Sequence, residues 1–307
     1  MRDDIAYNNI IDGDEFERAQ KAADASAELT RDEIDTETFY VTQHYERYSD
    51  ENHLVWKTLY EQRWEKLEEQ ASNVFIEGLK AINLVPDRVP LLFGEAPDPY
   101  GGSRTVKGIN EYLRPLTGWQ SRAVPGYLPA KGFFSCLARR EFPTTITIRP
   151  KDRMDYLPEP DIFHDVFGHV PLHADPVFAE FLQTYGKAAL AAGPEHTEAL
   201  ARLFWFTVEF GLIHEDGRLK IYGSGLISSH GEAHHCLHAP EPGPGEQPST
   251  EKVERRAFDL ERVCGTDFEI DHYQPILYVL DSFEQLRDAM NDYASRVFEE
   301  TGEPMIA

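Results

Sequence analysis

PDIFHDVFGHVP, residues 160–171, sets two histidines, His164 and His169, five positions apart in an apolar run with a proline at each end. In a regular helix positions i and i+4 share a face, whereas i+5 is rotated off it. The two imidazoles therefore converge only where the helix ends or deforms. Gly168 and Pro171 supply the means, since glycine relaxes the backbone and proline ends the repeat. The plain alternative is two hydrogen-bonded histidines near a helix end. A zinc-hydrolase helix would place Glu directly after the first His and the second His four positions on, but here Asp165 follows and the spacing is five. Two imidazoles and one carboxylate on one face of an octahedral iron fit better, with the carboxylate coming from elsewhere. The best source is LFWFTVEFGLI (203–213), where Glu209 is the sole acidic group in an apolar and aromatic run. Burying that carboxylate alone is costly, and either a metal cation or a buried Arg or Lys removes the cost.

Composition narrows the class around these motifs. The chain has 307 residues, 41% hydrophobic and 12% aromatic, enough for a large core in one domain or two. Its net charge of −24 repels nucleic acid and anionic membrane surfaces. Cys136, Cys236 and Cys264 are odd in number and far apart, which argues against a disulfide framework and for a reducing compartment. No apolar run suits a signal peptide after Met1 or a membrane span elsewhere. The expectation is a cytoplasmic protein.

Residues 1–35 are acidic and alanine-rich and read as a flexible N-terminal arm, leaving 36–307 as the catalytic domain. Between 53 and 84, Leu54, Leu59, Trp64, Leu67, Val74, Phe75 and Leu79 recur near helical spacing, predicting two helices. A short helix over 109–119 should end near Pro115. FPTTITIRP (142–150) reads as a strand, and 161–170 as a helix stopped by Pro171. Further helices are expected over 176–192 and 194–212, then a Pro- and Gly-rich loop at 239–253, a strand at 274–283 and a closing amphipathic helix. Nothing reads as a βαβ series. The fold class is mainly α with a few short β-strands, one α+β domain.

PDIFHDVFGHVPL, FWFTVEFGL and YGSGLISSHGE together resemble the pterin-dependent aromatic amino acid hydroxylases, most closely the bacterial phenylalanine 4-hydroxylases, over roughly residues 40–290. The resemblance implies a single, mainly helical catalytic domain that binds Fe(II) through His164, His169 and Glu209. It implies that Arg149 holds the substrate carboxylate, that Pro160, His164, Trp205 and Phe210 line the slot for the substrate ring, and that Ser228 lies near the first histidine. For the pterin, GYLPAKGFF (126–134) corresponds to the cofactor loop: Phe133 stacks on the ring, Gly126 and Leu128 bring backbone to its edge, and Asp165 stands where mammalian members carry glutamate. Phe204 replaces a tyrosine of many relatives, and His173 adds a third imidazole expected to stay off the metal. Ile270 falls where tyrosine-hydroxylating members carry aspartate, and Trp205 where tryptophan-specific ones carry phenylalanine.

The implied activity is hydroxylation of free L-phenylalanine to L-tyrosine using Fe(II), tetrahydrobiopterin or a related tetrahydropterin, and O2. Neither a regulatory nor a tetramerisation domain is expected, so the chain should be a monomer or weak dimer. The alternatives are a sister hydroxylase acting on L-tryptophan or another ring position, a zinc hydrolase with the same ligands, and a non-enzymatic metal binder. That last would use HGEAHHCLH (230–238), whose composition a solvated polar turn explains more simply.

Overall fold

Asp50–Gln70 and Asn73–Ala81 are the helical pair expected at 53–84. They separate where Ala71 turns extended and Ser72 donates its backbone N–H to Ile221 O; the Ser72 hydroxyl then caps the second helix at Phe75 N–H. Val55, Trp56, Leu59, Tyr60, Arg63 and Leu67 form the buried face, whereas Leu54 and Trp64, which the spacing places among the core positions, are exposed. The structure is a computed structural model that describes residues 39–100, 105–126, 128–154, 160–270 and 272–302. The expected arm at 1–35 lies outside the described residues. Among the described residues no helix is long and apolar enough to cross a membrane.

Among the described residues three small sheets punctuate the helices. β1 (Glu95–Pro97) and β2 (Thr105–Lys107) pair antiparallel. β3 (Gln120–Val124) and β4 (Glu141–Thr145) pair in parallel around the helix Ala130–Ala138, a βαβ unit that the sequence pattern did not suggest. β4 is shorter than the expected 142–150 because the groups beyond it are taken elsewhere. Ile146 O accepts from the Tyr48 hydroxyl, Thr147 O from Ile162 N–H, and Arg149 N–H donates to Asp161. The third sheet has the order β6-β5-β8-β7. β5 (Leu212–Glu215) and β6 (Arg218–Ile221) form a hairpin whose turn residues, Asp216 and Gly217, are both left-handed. β8 (Ile276–Leu280) runs parallel to β5 and to β7 (Glu254–Ala257).

Helix Asn110–Thr117 runs through Pro115 rather than ending there. In two turns that proline removes a single N–H donor, while Leu113 and Thr117 are buried on either side of it. Left-handed Gly118 then closes the helix with a bond to Arg114 O. Pro176–Ala191 packs against the closing helix Phe283–Thr301.

The largest departures from regular helix fall on the two motifs. Phe163–His169 is a π-helix, and Val170–Ala174 continues as a 3-10 turn through Pro171. The expected helix at 194–212 divides into the α-helix Thr197–Phe204, the π-turn Trp205–Glu209 and β5. Hydrogen bonds spanning five residues, such as Phe210 N–H to Trp205 O, widen the turn. Widening brings residues five apart onto one face, which answers how His164 and His169 meet. Phe163 and Phe167, four apart and stacked, point away from them into the core, where Trp56, Tyr60 and Phe75 meet them edge-on.

Gly78 lets the Asn73–Ala81 helix lie directly on the 3-10 turn, since a Cβ there would stand 2.0 Å from Pro171 O. Gly78→Ala therefore pushes the chain away two residues after His169. It is expected to lower stability by about 1–3 kcal/mol, the usual cost of overpacking, read as a fall in the thermal midpoint. An unchanged midpoint would show that the two segments part without strain.

Candidate metal centre and its two pockets

Three ligand-type side chains converge where the π-turns face each other. His164 Nε2 and His169 Nε2 are 3.2 Å apart, His169 Nε2 lies 3.2 Å from Glu209 Oε1, and His164 Nε2 lies 3.6 Å from Glu209 Oε2. Glu209 and His169 are buried. The tautomer of His164 follows from its neighbour. The Ser228 hydroxyl donates its proton to Ser224 O, so it accepts from His164 Nδ1–H, and Nε2 keeps its lone pair for the centre. Burial pushes His164 down to about 4, which keeps the ring neutral. For Glu209 burial works against the charge, but His169 and the Ser224 hydroxyl donating to Oε2 hold the carboxyl below the usual range.

An ionised carboxylate with Oε1 lacking a hydrogen-bond partner, facing imidazole lone pairs in a buried site, is short of one cation. Two nitrogen donors and one carboxylate suit a divalent first-row transition metal with open positions. Asp165 also comes within 4.8 Å of both imidazoles. It is the poorer third ligand, because its Oδ2 already accepts from Thr145 N–H at 2.7 Å and burial pushes it up to about 7. His173 takes no part. It is fully buried, stacked on Trp119 and against Phe142, with both ring nitrogens lacking hydrogen-bond partners.

A small pocket opens over the converging atoms, walled by Phe133, Phe142, Pro143, Pro160, Asp165 and Phe204. The Ala130–Ala138 helix of the βαβ unit delivers Phe133, whose ring meets Phe204 edge-on at 5.7 Å. Leu128 and Gly126 are buried just before that helix. Phe204 carries no hydroxyl, so this wall is wholly aromatic.

Residues 40–301 match the biopterin-dependent aromatic amino acid hydroxylase family. The chain belongs to that family. A phenylalanine-4-hydroxylase of Chromobacterium violaceum is 41% identical over 260 residues, 83% of this chain and 78% of the relative. A structure of the C. violaceum phenylalanine hydroxylase with bound iron(III) and the oxidised cofactor 7,8-dihydrobiopterin superposes with a TM-score of 0.75 at 37% identity, over 93% of this chain and 92% of the other. A tyrosine 3-monooxygenase of Caenorhabditis briggsae is 34% identical over 256 residues, 82% of this chain and 44% of that one. Membership sets aside the zinc-hydrolase and metal-storage alternatives.

Beside Ser228, the partner of His164 Nδ1, the hydroxylase has a second, larger cavity of about 490 Å³, whose walls also include Ile270, Met154 and Arg63. Nearby, Arg149 is buried in a bidentate pair with Asp161, Nε and Nη2 each 2.8 Å from a carboxylate oxygen, while Nη1 donates to Met154 O. Burial opposes both charges, yet the pair holds Asp161 below and Arg149 above their ordinary values. Trp205 and Phe210 pack with ring centroids 4.2 Å apart. The segment 230–238, expected as a polar turn, is an α-helix capped by the Ser229 hydroxyl, which satisfies its first turn. His234 and His238 lie one turn apart there with tilted rings, centroids 4.5 Å apart, but among the described residues no third ligand joins them.

Asp161, Thr145, Ser224 and Gln274 escaped the sequence reading. Asp161 announced itself only as a helix opener, and the other three carry no spacing signal at all. Ser224 sits closest to the chemistry: its hydroxyl lies 2.9 Å from His169 Nε2 and 2.8 Å from Glu209 Oε2. Gly168 admits it, since a Cβ there would meet Ser224 Cβ at 3.1 Å. Ser224→Ala removes the hydroxyl that steadies Glu209 and is expected to weaken metal retention about 10-fold or more, read by chelator competition. Retention equal to wild type would remove Ser224 from the centre.

Proposed function

We propose that this hydroxylase converts free L-phenylalanine to L-tyrosine, with Fe(II) held by His164, His169 and Glu209 and a tetrahydropterin in the pocket beside Phe133. The observation that carries the reading is the buried convergence of two imidazole Nε2 atoms on a carboxylate oxygen without a hydrogen-bond partner. Bound iron and reduced pterin supply the activation of oxygen.

The chain's own residues bind, orient and exclude water. Asp161 locks Arg149 from one edge, which leaves guanidinium N–H groups in a fixed plane for the substrate carboxylate. Ser228 fixes the His164 ring. Pro160, Trp205 and Phe210 flank the substrate ring with apolar surface. Ile270 offers a phenol hydroxyl no partner, so tyrosine would enter with an unpaired polar group at a cost of roughly 1–3 kcal/mol. The Trp205 indole narrows the slot against a substrate indole, a steric exclusion that is partial by nature. Phe133 presents a ring face to the pterin, and Gly126 and Leu128 lend backbone groups to its edge.

Product analysis from phenylalanine, with and without tetrahydropterin, tests the reading directly. Tyrosine should form only with iron, pterin and oxygen together. Glu209→Ala should lose both iron and tyrosine formation, and zinc-loaded protein should form none. Tyrosine from the zinc form, or from Glu209→Ala, would refute the ligand assignment; a preference for tryptophan would refute the substrate.

Phe133→Ala separates the two sites. It should weaken apparent pterin affinity by about 1–2 kcal/mol, the scale of an aromatic pair, while iron content stays at the wild-type level. Equal pterin dependence in the variant would place the pterin on another wall.

A further inference from the structure

Gln274 stands at the joint between two walls of the proposed slot. Its side-chain Oε1 accepts from the Trp205 indole Nε1–H at 2.9 Å. Its Nε2 donates to Glu269 O at 2.8 Å and to His272 O at 3.2 Å, and its backbone N–H donates to Glu232 Oε1 at 3.1 Å. The residue is 3% exposed, so these bonds are made out of water's reach.

The two carbonyls it holds bracket Ile270. The described residues of that segment belong to no helix or strand, so a side-chain amide gathers carbonyls that a regular element would have paired. Phe268, at the head of the same segment, stacks on the Trp205 ring with centroids 4.9 Å apart and planes 15° apart. Indole and segment are thus joined twice, once by stacking and once through Gln274. A carboxamide is the one uncharged side chain that offers an acceptor and two donors in a single plane, as this joint requires.

We propose that Gln274 is a positioning residue for substrate choice: it sets the Trp205 indole and the Ile270 segment in one fixed relation, and so fixes the width of the slot. The proposal rests on Trp205 and Ile270 lining that slot, as inferred above. Gln274 acts through them and is absent from the walls of the metal pocket.

Four proteins test it, with iron loaded and tetrahydropterin supplied: Trp205→Phe, Gln274→Leu, Gln274→Glu and the Trp205→Phe/Gln274→Leu double variant. Each is compared with wild type for kcat/KM on phenylalanine and tryptophan and for tyrosine formed per pterin oxidised. The Trp205 indole N–H is followed by NMR in the proteins that keep it. Gln274→Leu should lower the phenylalanine-over-tryptophan preference about fivefold to tenfold, the scale of a buried hydrogen bond or of a pocket-size difference. It should also form less tyrosine per pterin and expose the indole N–H to faster exchange. Gln274→Glu keeps the acceptor and loses both donors, so its indole N–H should stay protected while the preference falls by a smaller factor. That variant keeps the test open if the leucine protein folds poorly.

In the double variant the two effects on preference should not multiply, because they share one route. If Trp205→Phe moves the preference and both Gln274 variants leave it and the tyrosine yield at wild-type values, the proposal fails while the slot reading stands. Independent, multiplying effects would also overturn it. If Trp205→Phe leaves the preference unmoved, the slot reading itself is wrong and the proposal goes with it.

Discussion

The π-helical turn at Phe163–His169 is the constraint on which the centre depends, because α-helical geometry would rotate His169 away from His164. Such turns are rare, and here the surroundings hold this one in place. Here the holding is divided between faces. Behind the turn, Phe163 and Phe167 are gripped by rings from the Asp50–Gln70 and Asn73–Ala81 helices. On another side Gly168 lets Ser224 approach, and beyond the turn Gly78 lets Pro171 settle on a helix. The long helix that begins the described core is therefore, in effect, a splint for the ligand turn.

Two buried carboxyls close to the histidines are driven in opposite directions by their partners. Glu209 faces two imidazoles and a hydroxyl and keeps its charge, whereas Asp165 faces a backbone N–H and an apolar pocket and is pushed toward neutrality. Proximity alone does not sort them, since both lie within reach of the histidines. The sorting comes from what each oxygen already accepts. Both carboxyls line the same small recess at Phe133, and neither lines the larger cavity at Ile270.

Much of this was legible in the sequence because each feature has a local cause. The five-residue spacing of His164 and His169 demanded a deformed helix, and a lone Glu209 among aromatics demanded a cation or a partner. Asp216-Gly217 is likewise a local turn signal for the β5–β6 hairpin. What stayed hidden depends on distant contacts. Asp161 matters through Arg149, twelve residues away, and β4 stops at Thr145 because Tyr48, Ile162 and Asp161 claim the groups that follow. The partnership of Gln274 with Trp205 joins segments 69 residues apart, and no periodicity records it. Pro115 misled in the other direction: a short helix tolerates one missing donor when its flanking residues are buried.

His173 gives the core a built-in sensitivity to acid. Packed against Trp119 and Phe142 with neither ring nitrogen hydrogen-bonded, the imidazole has nowhere to place a charge, and burial holds its proton affinity well below that of a free histidine. An unfolded chain protonates the same ring near its ordinary value. Below that pH the unfolded state therefore binds a proton that the folded state refuses, and each further fall in pH draws the equilibrium toward unfolding. Above it, both states carry a neutral ring and the residue exerts no such pull. A proton taken up some way from the metal thus becomes a lever on the whole domain, acting through the aromatic packing behind His169.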